Sequence, residues 1–282
     1  MSRRLFLALP LLLAGAGAVW ATTGARREAS DGSGHVPQRI VSINLCTDQL
    51  LLGLADRRQI AGLTPNAVDR AMSVEWSAAR GIPAVGYSAE RVLAAKPDLI
   101  LGMPATGSPA LAGSSGDTRL LDVRFANSLP DIYASIRETA AAVGHSDRGE
   151  TMIARMEQDL AAIGRPGRGR VGAYYQRAGY LTGTGTLVDD LMKRLGLVNL
   201  ADRLGKPVIA QLSLEELVAA QPDFLIVEEA TDRVDDLGKE ILHHPALRGI
   251  PRIRVREAWT VCGGPAYVAA ARSMADQLAQ HN

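Results

Sequence analysis

The sequence is poor in the residues that mark most catalytic centres. It has two cysteines, Cys46 and Cys262, too few for an iron–sulfur cluster and too distant in sequence for a local metal knuckle. Of its five histidines, His35 and His281 lie in the tails and His243-His244 are adjacent, a poor arrangement for chelating one ion. No dedicated zinc or manganese site is expected. The Gly183-Thr184-Gly185-Thr186 turn lacks the lysine of a phosphate loop. No G-x-S-x-G elbow occurs, and no carboxylate pair stands out from the charge background. The formal net charge of +1 gives no basic surplus for nucleic acid. Aromatics make up 4 % of the chain, so each one outside a core position is informative. These absences point away from an enzyme and from an intrinsic cofactor.

The one long apolar run is at the start. Arg3 and Arg4 precede Leu5 to Trp20, with a small-residue cleavage site at Val19-Trp20-Ala21. This is the layout of an export signal over residues 1–21, by the general secretory or the twin-arginine route. No cysteine follows for lipid attachment, and 22–36 read as a flexible, small and polar leader. The expected location is the periplasm.

What the sequence does have is a repeat. Residues 88–101 read SAERVLAAKPDLIL and residues 213–226 read SLEELVAAQPDFLI. Each copy encodes a capped helix, a Pro-Asp turn and a buried strand. The separation is too long for a solenoid, and predicts two similar α/β lobes with a ligand cleft between them. Strands are predicted at 39–43, 59–63, 84–86, 98–102 and 120–124, alternating with helices, which makes the sheets mostly parallel. Lobe one spans 37–145. A helix over 146–164 bridges to lobe two, 165–282; Asp147 and Glu150 form a capping-box pattern at its start. In lobe two, strands are expected at 171–175, 223–228, 252–256 and 258–261. Pro265 is expected to open the last helix.

Loops at strand carboxyl ends line the crevice of such folds. Asn44, Cys46, Thr47 and Asp48 follow the first strand, where Thr47 or Asp48 either caps a helix or helps present its N-terminus to a ligand. Trp259, Cys262 and Gly263 lie in the matching loop of lobe two, the indole being either a ligand wall or a core group. The cysteines sit one per lobe in an exported protein. A disulfide is the first reading; free thiols or soft-metal ligands are the alternatives. Trp76, Tyr87, Tyr174, Tyr175 and Tyr180 are further aromatics near strand or loop ends, available for stacking or for packing. Glu90 stands in a first helical turn, where the dipole alone favours an acid, and Glu215 has the same setting.

With Arg39-Ile40-Val41-Ser42, Glu90, Lys96-Pro97-Asp98-Leu99-Ile100, the bridging helix and the Pro222-Asp223 copy, the chain resembles the helical-backbone metal-chelate receptors. These are ABC-transporter substrate-binding proteins similar to the cobalamin- and ferric-hydroxamate-binding ones. The resemblance spans about 37–280. It implies a monomer that binds a small-molecule metal complex, a ferric siderophore or a corrinoid, between lobes that move little. It also implies docking on a permease with its ATPase through an acid on each lobe. Glu90 matches the first acid; the second is expected just after Trp259, where Thr260, Val261 and Cys262 stand instead, which leaves docking through another acid of lobe two, or mainly through one lobe, open. Trp259 matches a pocket-lining aromatic, with Trp76, Tyr87 and Tyr175 as further ligand contacts. Haem is less favoured because no histidine falls in a cleft loop. A sensor or chaperone for metal complexes and, less so, a metal-cluster enzyme of related fold are the alternatives.

Overall fold

The computed structural model describes residues 35–86, 88–106, 109–114 and 117–281. The export segment, nearly all of the leader and Tyr87 lie outside the described residues.

Lobe one contains β1 (Ile40–Ser42), α1 (Leu45–Leu54), β2 (Ile60–Gly62), α2 (Ala89–Ala94), β3 (Leu99–Gly102), α3 (Pro109–Ser114) and β4 (Arg119–Asp122). Its sheet is parallel, in the order β2-β1-β3-β4. The expected strand at 84–86 reduces to one bridge, Leu63 to Ala84. Two helices follow, α4 (Leu129–Ala142) and α5 (Ser146–Ala161). Lobe two contains β5 (Val171–Tyr174), β6 (Tyr180–Thr182), α6 (Leu187–Arg194), β7 (Val198–Asn199), α7 (Leu200–Arg203), β8 (Ile209–Gln211), α8 (Leu214–Ala220), β9 (Phe224–Glu228), α9 (Leu237–Glu240), β10 (Arg252–Val255), α10 (Glu257–Thr260) and α11 (Tyr267–Ala279). Its parallel sheet runs β7-β5-β9-β10, the order of lobe one, and the antiparallel pair β6–β8 is added to it.

The repeat explains why the two sheets match. In each copy a helix ends on a left-handed residue, Lys96 at φ 48° and Gln221 at φ 45°, followed by Pro-Asp. The aspartate then pins the neighbouring strand. Asp98 accepts from the backbone N–H groups of Gln38 (2.7 Å) and Arg39 (3.0 Å), just before β1. Asp223 accepts from the N–H of Val171 (2.6 Å), the first residue of β5. These carboxylates set the register of the central strand pair in each lobe.

Side chains alternate across each strand, and both faces are covered. Ile40, Leu99 and Leu101 from lobe one join Phe224, Ile226 and Ile253 from lobe two in a single apolar cluster with α4, α5 and α11. The opposite faces build separate clusters, around Val41 and Ile100 in lobe one and around Leu225 and Val227 in lobe two. The lobes therefore share a core instead of hanging on a linker. The 16 residues of α5, about 24 Å long at 1.5 Å per residue, bury Ile153, Met156 and Leu160 in that shared core.

The predicted capping box at 147–150 does not form. His145 is the N-cap without a side-chain bond, and Glu150 instead takes Arg137 of α4 at 2.7 and 3.0 Å. Residues 258–261 are not a strand: β10 ends at Val255 and the chain turns into α10. Pro265 falls in the turn before α11, whose N-cap is Ala266. Among the described residues no helix is long and apolar enough to cross a membrane.

Candidate functional site

In each sheet the first strand lies beside the third, so the direction of winding reverses between β1 and β3 and between β5 and β9. The carboxyl ends at such a switch point leave a crevice. Here the crevices of both lobes open onto one cavity of about 560 Å³. Lobe one contributes Cys46 after β1, Met103 after β3, and Phe125 and Asn127 after β4. Lobe two contributes Tyr174 at the end of β5, Glu228 at the end of β9 and Glu257 after β10, with Tyr180 and Ile209 from the β6–β8 pair. Phe125 and Ile209 are each 65 % exposed and Tyr180 is 44 % exposed, so the rim presents large apolar surfaces to an occupant.

The floor is different. The Tyr174 hydroxyl donates to Glu228 Oε1 at 3.0 Å across the switch point. Burial, followed by the neighbouring Glu228 carboxylate, pushes the Tyr174 phenol well above its usual range. Burial also raises the Glu257 carboxyl, with Glu228 and Asp69 adding to the effect. This region is thus desolvated and rich in negative charge.

Cys46 and Cys262 form a disulfide with a Cα–Cα distance of 5.2 Å. It ties the start of α1 to the turn before α11, and so joins the lobes beside the cavity. Next to it, Gly263 meets lobe one so closely that a Cβ would lie 2.5 Å from the Ala126 carbonyl oxygen. Behind the disulfide is a second cavity of about 290 Å³, lined by Trp259, Cys262, Gln49 and Met152 among others.

Of the residues named from sequence, Cys46, Gly263, Tyr174 and Tyr180 border the main cavity. Cys262 and Trp259 border the rear one, because α10 turns the indole behind the disulfide. Asn44, not Thr47 or Asp48, caps α1, accepting from the Cys46 N–H at 2.8 Å. Thr47 and Asp48 are fully buried and cannot meet a ligand. Thr47 bonds Ser42 Oγ at 2.7 Å, and Asp48 accepts from the Thr64 N–H and hydroxyl. Burial raises the Asp48 carboxyl to about 6 against those bonds. Tyr175 is also interior, donating to the Leu212 carbonyl at 2.8 Å; its neighbour Tyr174 takes the cleft position. Trp76 borders neither cavity and is flanked by Arg70 and Arg80 at 4.7 and 4.6 Å from its ring centroid. Phe125, Glu228 and Glu257 were not singled out, although their places at strand ends were the available signal.

The fold and its cavity define a two-lobed ligand receptor. The model of the periplasmic binding protein family matches residues 40–256, and the chain belongs to that family. It is 25 % identical over 260 residues to the vitamin B12-binding protein of Pectobacterium carotovorum, covering 86 % of this chain and 89 % of that one. The periplasmic heme-binding protein RhuT from Roseiflexus sp. RS-1, in apo form, superposes with a TM-score of 0.69 at 25 % identity, covering 86 % of this chain and 99 % of that one. An ABC-type Fe3+-hydroxamate transport system structure from Saccharomonospora viridis gives 0.63 at 20 % identity, with 86 % and 93 % covered. The protein is thus a substrate-binding protein of periplasmic type.

Proposed function

We propose that the protein is the periplasmic receptor of an ABC importer. It captures a metal chelate, a ferric siderophore or a corrinoid, and delivers it as a monomer to a permease driven by its ATPase. The observation that carries this reading is the cavity of about 560 Å³ shared by the carboxyl ends of both sheets, with Phe125, Tyr180 and Ile209 exposed at its rim. A broad apolar rim over a polar floor suits a rigid macrocycle or wrapped chelate. The vitamin B12-binding and Fe3+-hydroxamate relatives support that ligand class. Residues 1–21 act as the export signal in this reading.

Capture needs little motion. The lobes, 37–145 and 165–282, share one apolar core across the 146–164 helix, and the Cys46–Cys262 bridge limits their separation. Docking uses one acid per lobe. Glu90 is exposed in the first turn of α2, and the repeat puts exposed Glu215 in the first turn of α8. Glu215 therefore takes the role expected after Trp259, and Glu257 in that neighbourhood belongs to the cavity floor. Titrating intrinsic tryptophan fluorescence with aquocobalamin, ferric siderophores and haem tests the reading. Saturable binding of a corrinoid or ferric siderophore is expected; binding of none contradicts it.

A further inference from the structure

The cavity has an uneven charge. Glu228 and Glu257 are the only charged side chains among the described residues that line it. Two cations beside Glu257, Lys239 in space and Arg256 in the chain, are engaged elsewhere. Lys239 binds Asp235 at 2.7 Å and the Ala230 carbonyl at 3.0 Å. Arg256 lies 5.2 Å from the Trp259 ring centroid and 3.9 Å from Glu229. The N-terminus of α6 also reaches the cavity and would ordinarily favour an anion. That end already carries a carboxylate of its own: Thr186 Oγ1 accepts from the Asp189 N–H at 3.3 Å, and Asp189 Oδ2 accepts from the Gly185 N–H at 3.0 Å, which sets a negative charge in the first turn of α6. Gln176, Thr182, Thr260 and Asn127 supply neutral hydrogen-bonding groups around the same space.

Resting on the receptor reading above, we infer that Glu228 and Glu257 make this a site for positively charged chelates and reject anionic ones. Tyr174 holds Glu228 in place at the junction of β5 and β9. A chelate with a cationic centre or arm, and amide or hydroxamate groups around it, neutralises the floor. Haem carries propionates and ferric catecholates carry several negative charges, and each would bring like charge to two partly desolvated carboxylates.

The test uses ligand pairs that differ in charge more than in shape. Cationic ferrioxamine B is compared with its neutral N-acetyl form, and aquocobalamin with neutral cyanocobalamin, by fluorescence or calorimetric titration of the oxidised protein. The pair whose ligand class binds should favour its cationic member by about tenfold, the size of one charge acting on nearby carboxylates at intermediate dielectric. A Glu228→Gln, Glu257→Gln variant should lose that preference. Where the variant does not fold, added salt should narrow the wild-type preference. Equal affinity within the binding pair, or haem binding tighter than any cationic chelate, overturns the inference while leaving the receptor reading intact. No binding of any chelate contradicts the receptor reading instead.

Discussion

The two lobes share one topology but furnish the cavity differently. Lobe one brings Cys46, Met103, Phe125 and Asn127, none of them charged. Lobe two brings both carboxylates, Tyr174, and the β6–β8 pair that has no counterpart among the described residues of lobe one. The repeated parts, Pro97-Asp98 and Pro222-Asp223, do the same work in each lobe, which is to fix the start of the adjacent strand. In the proposed reading, discrimination between ligands falls mainly to lobe two, while lobe one supplies an uncharged wall of the cavity.

The sharpest break of that symmetry is at the docking acids. Charge reversal at Glu90 and Glu215 together should abolish chelate uptake in cells while leaving affinity in solution unchanged. Each single reversal should cut uptake severely. If Glu215→Arg transports normally while Glu90→Arg does not, the lobes differ in docking as well as in the cavity.

Removing the covalent tie comes next. The Cys46–Cys262 bridge closes a loop with a sequence separation of 216. Its loss in a Cys46→Ser, Cys262→Ser variant should lower stability by about 2–5 kcal/mol, measured by urea unfolding of the oxidised wild type and the variant. An unchanged midpoint would mean that the shared core alone holds the lobes.

Within lobe one, Asp48 neither caps α1 nor faces a ligand but lies in the core. Its carboxyl is raised in the folded protein, from 3.8 to about 6. The folded state thus binds the proton more tightly than the unfolded chain. The resulting stability is complete below about pH 4 and is lost as pH rises through about 6. The stability of wild type minus that of Asp48→Asn should fall across this window by up to about 3 kcal/mol. A flat difference, or one of opposite slope, contradicts the burial argument.

A smaller effect is expected where the lobes touch. Gly263→Ala forces a Cβ against the Ala126 carbonyl and should cost about 1–3 kcal/mol and weaken ligand binding. Gly264→Ala, with nothing within 4 Å of the new Cβ, should be neutral. Equal effects at both positions would mean that the lobes do not meet closely at Gly263.

The sequence made the scaffold legible because the repeat carries its own register signals: a helix, a left-handed residue, Pro-Asp and a strand. It hid the cavity for a geometric reason. Glu228 and Glu257 end up beside each other only because β9 and β10 are neighbours in the sheet, so no local spacing reveals them. The β6–β8 pair consists of strands of three residues each, with Tyr180 and Ile209 exposed, and lacks the alternation that marks a half-buried strand. Tyr174 and Tyr175 are adjacent, and which of them faces the cleft depends on the pleat and on where β5 begins. Trp259, readable from sequence as a ligand wall or a core group, packs against the core beside the rear cavity because a single turn of helix follows β10 in place of the expected strand.

In the proposed reading a metal chelate sits between the lobes, against the strand ends of lobe two. The decisive measurement is amide hydrogen exchange on the oxidised protein, with and without the chelate that binds best. Protection should rise together in four stretches: 124–127, 174–182, 226–229 and 257–263. Protection confined to the rear cavity around Met152 and Pro265, or to one lobe alone, would contradict it.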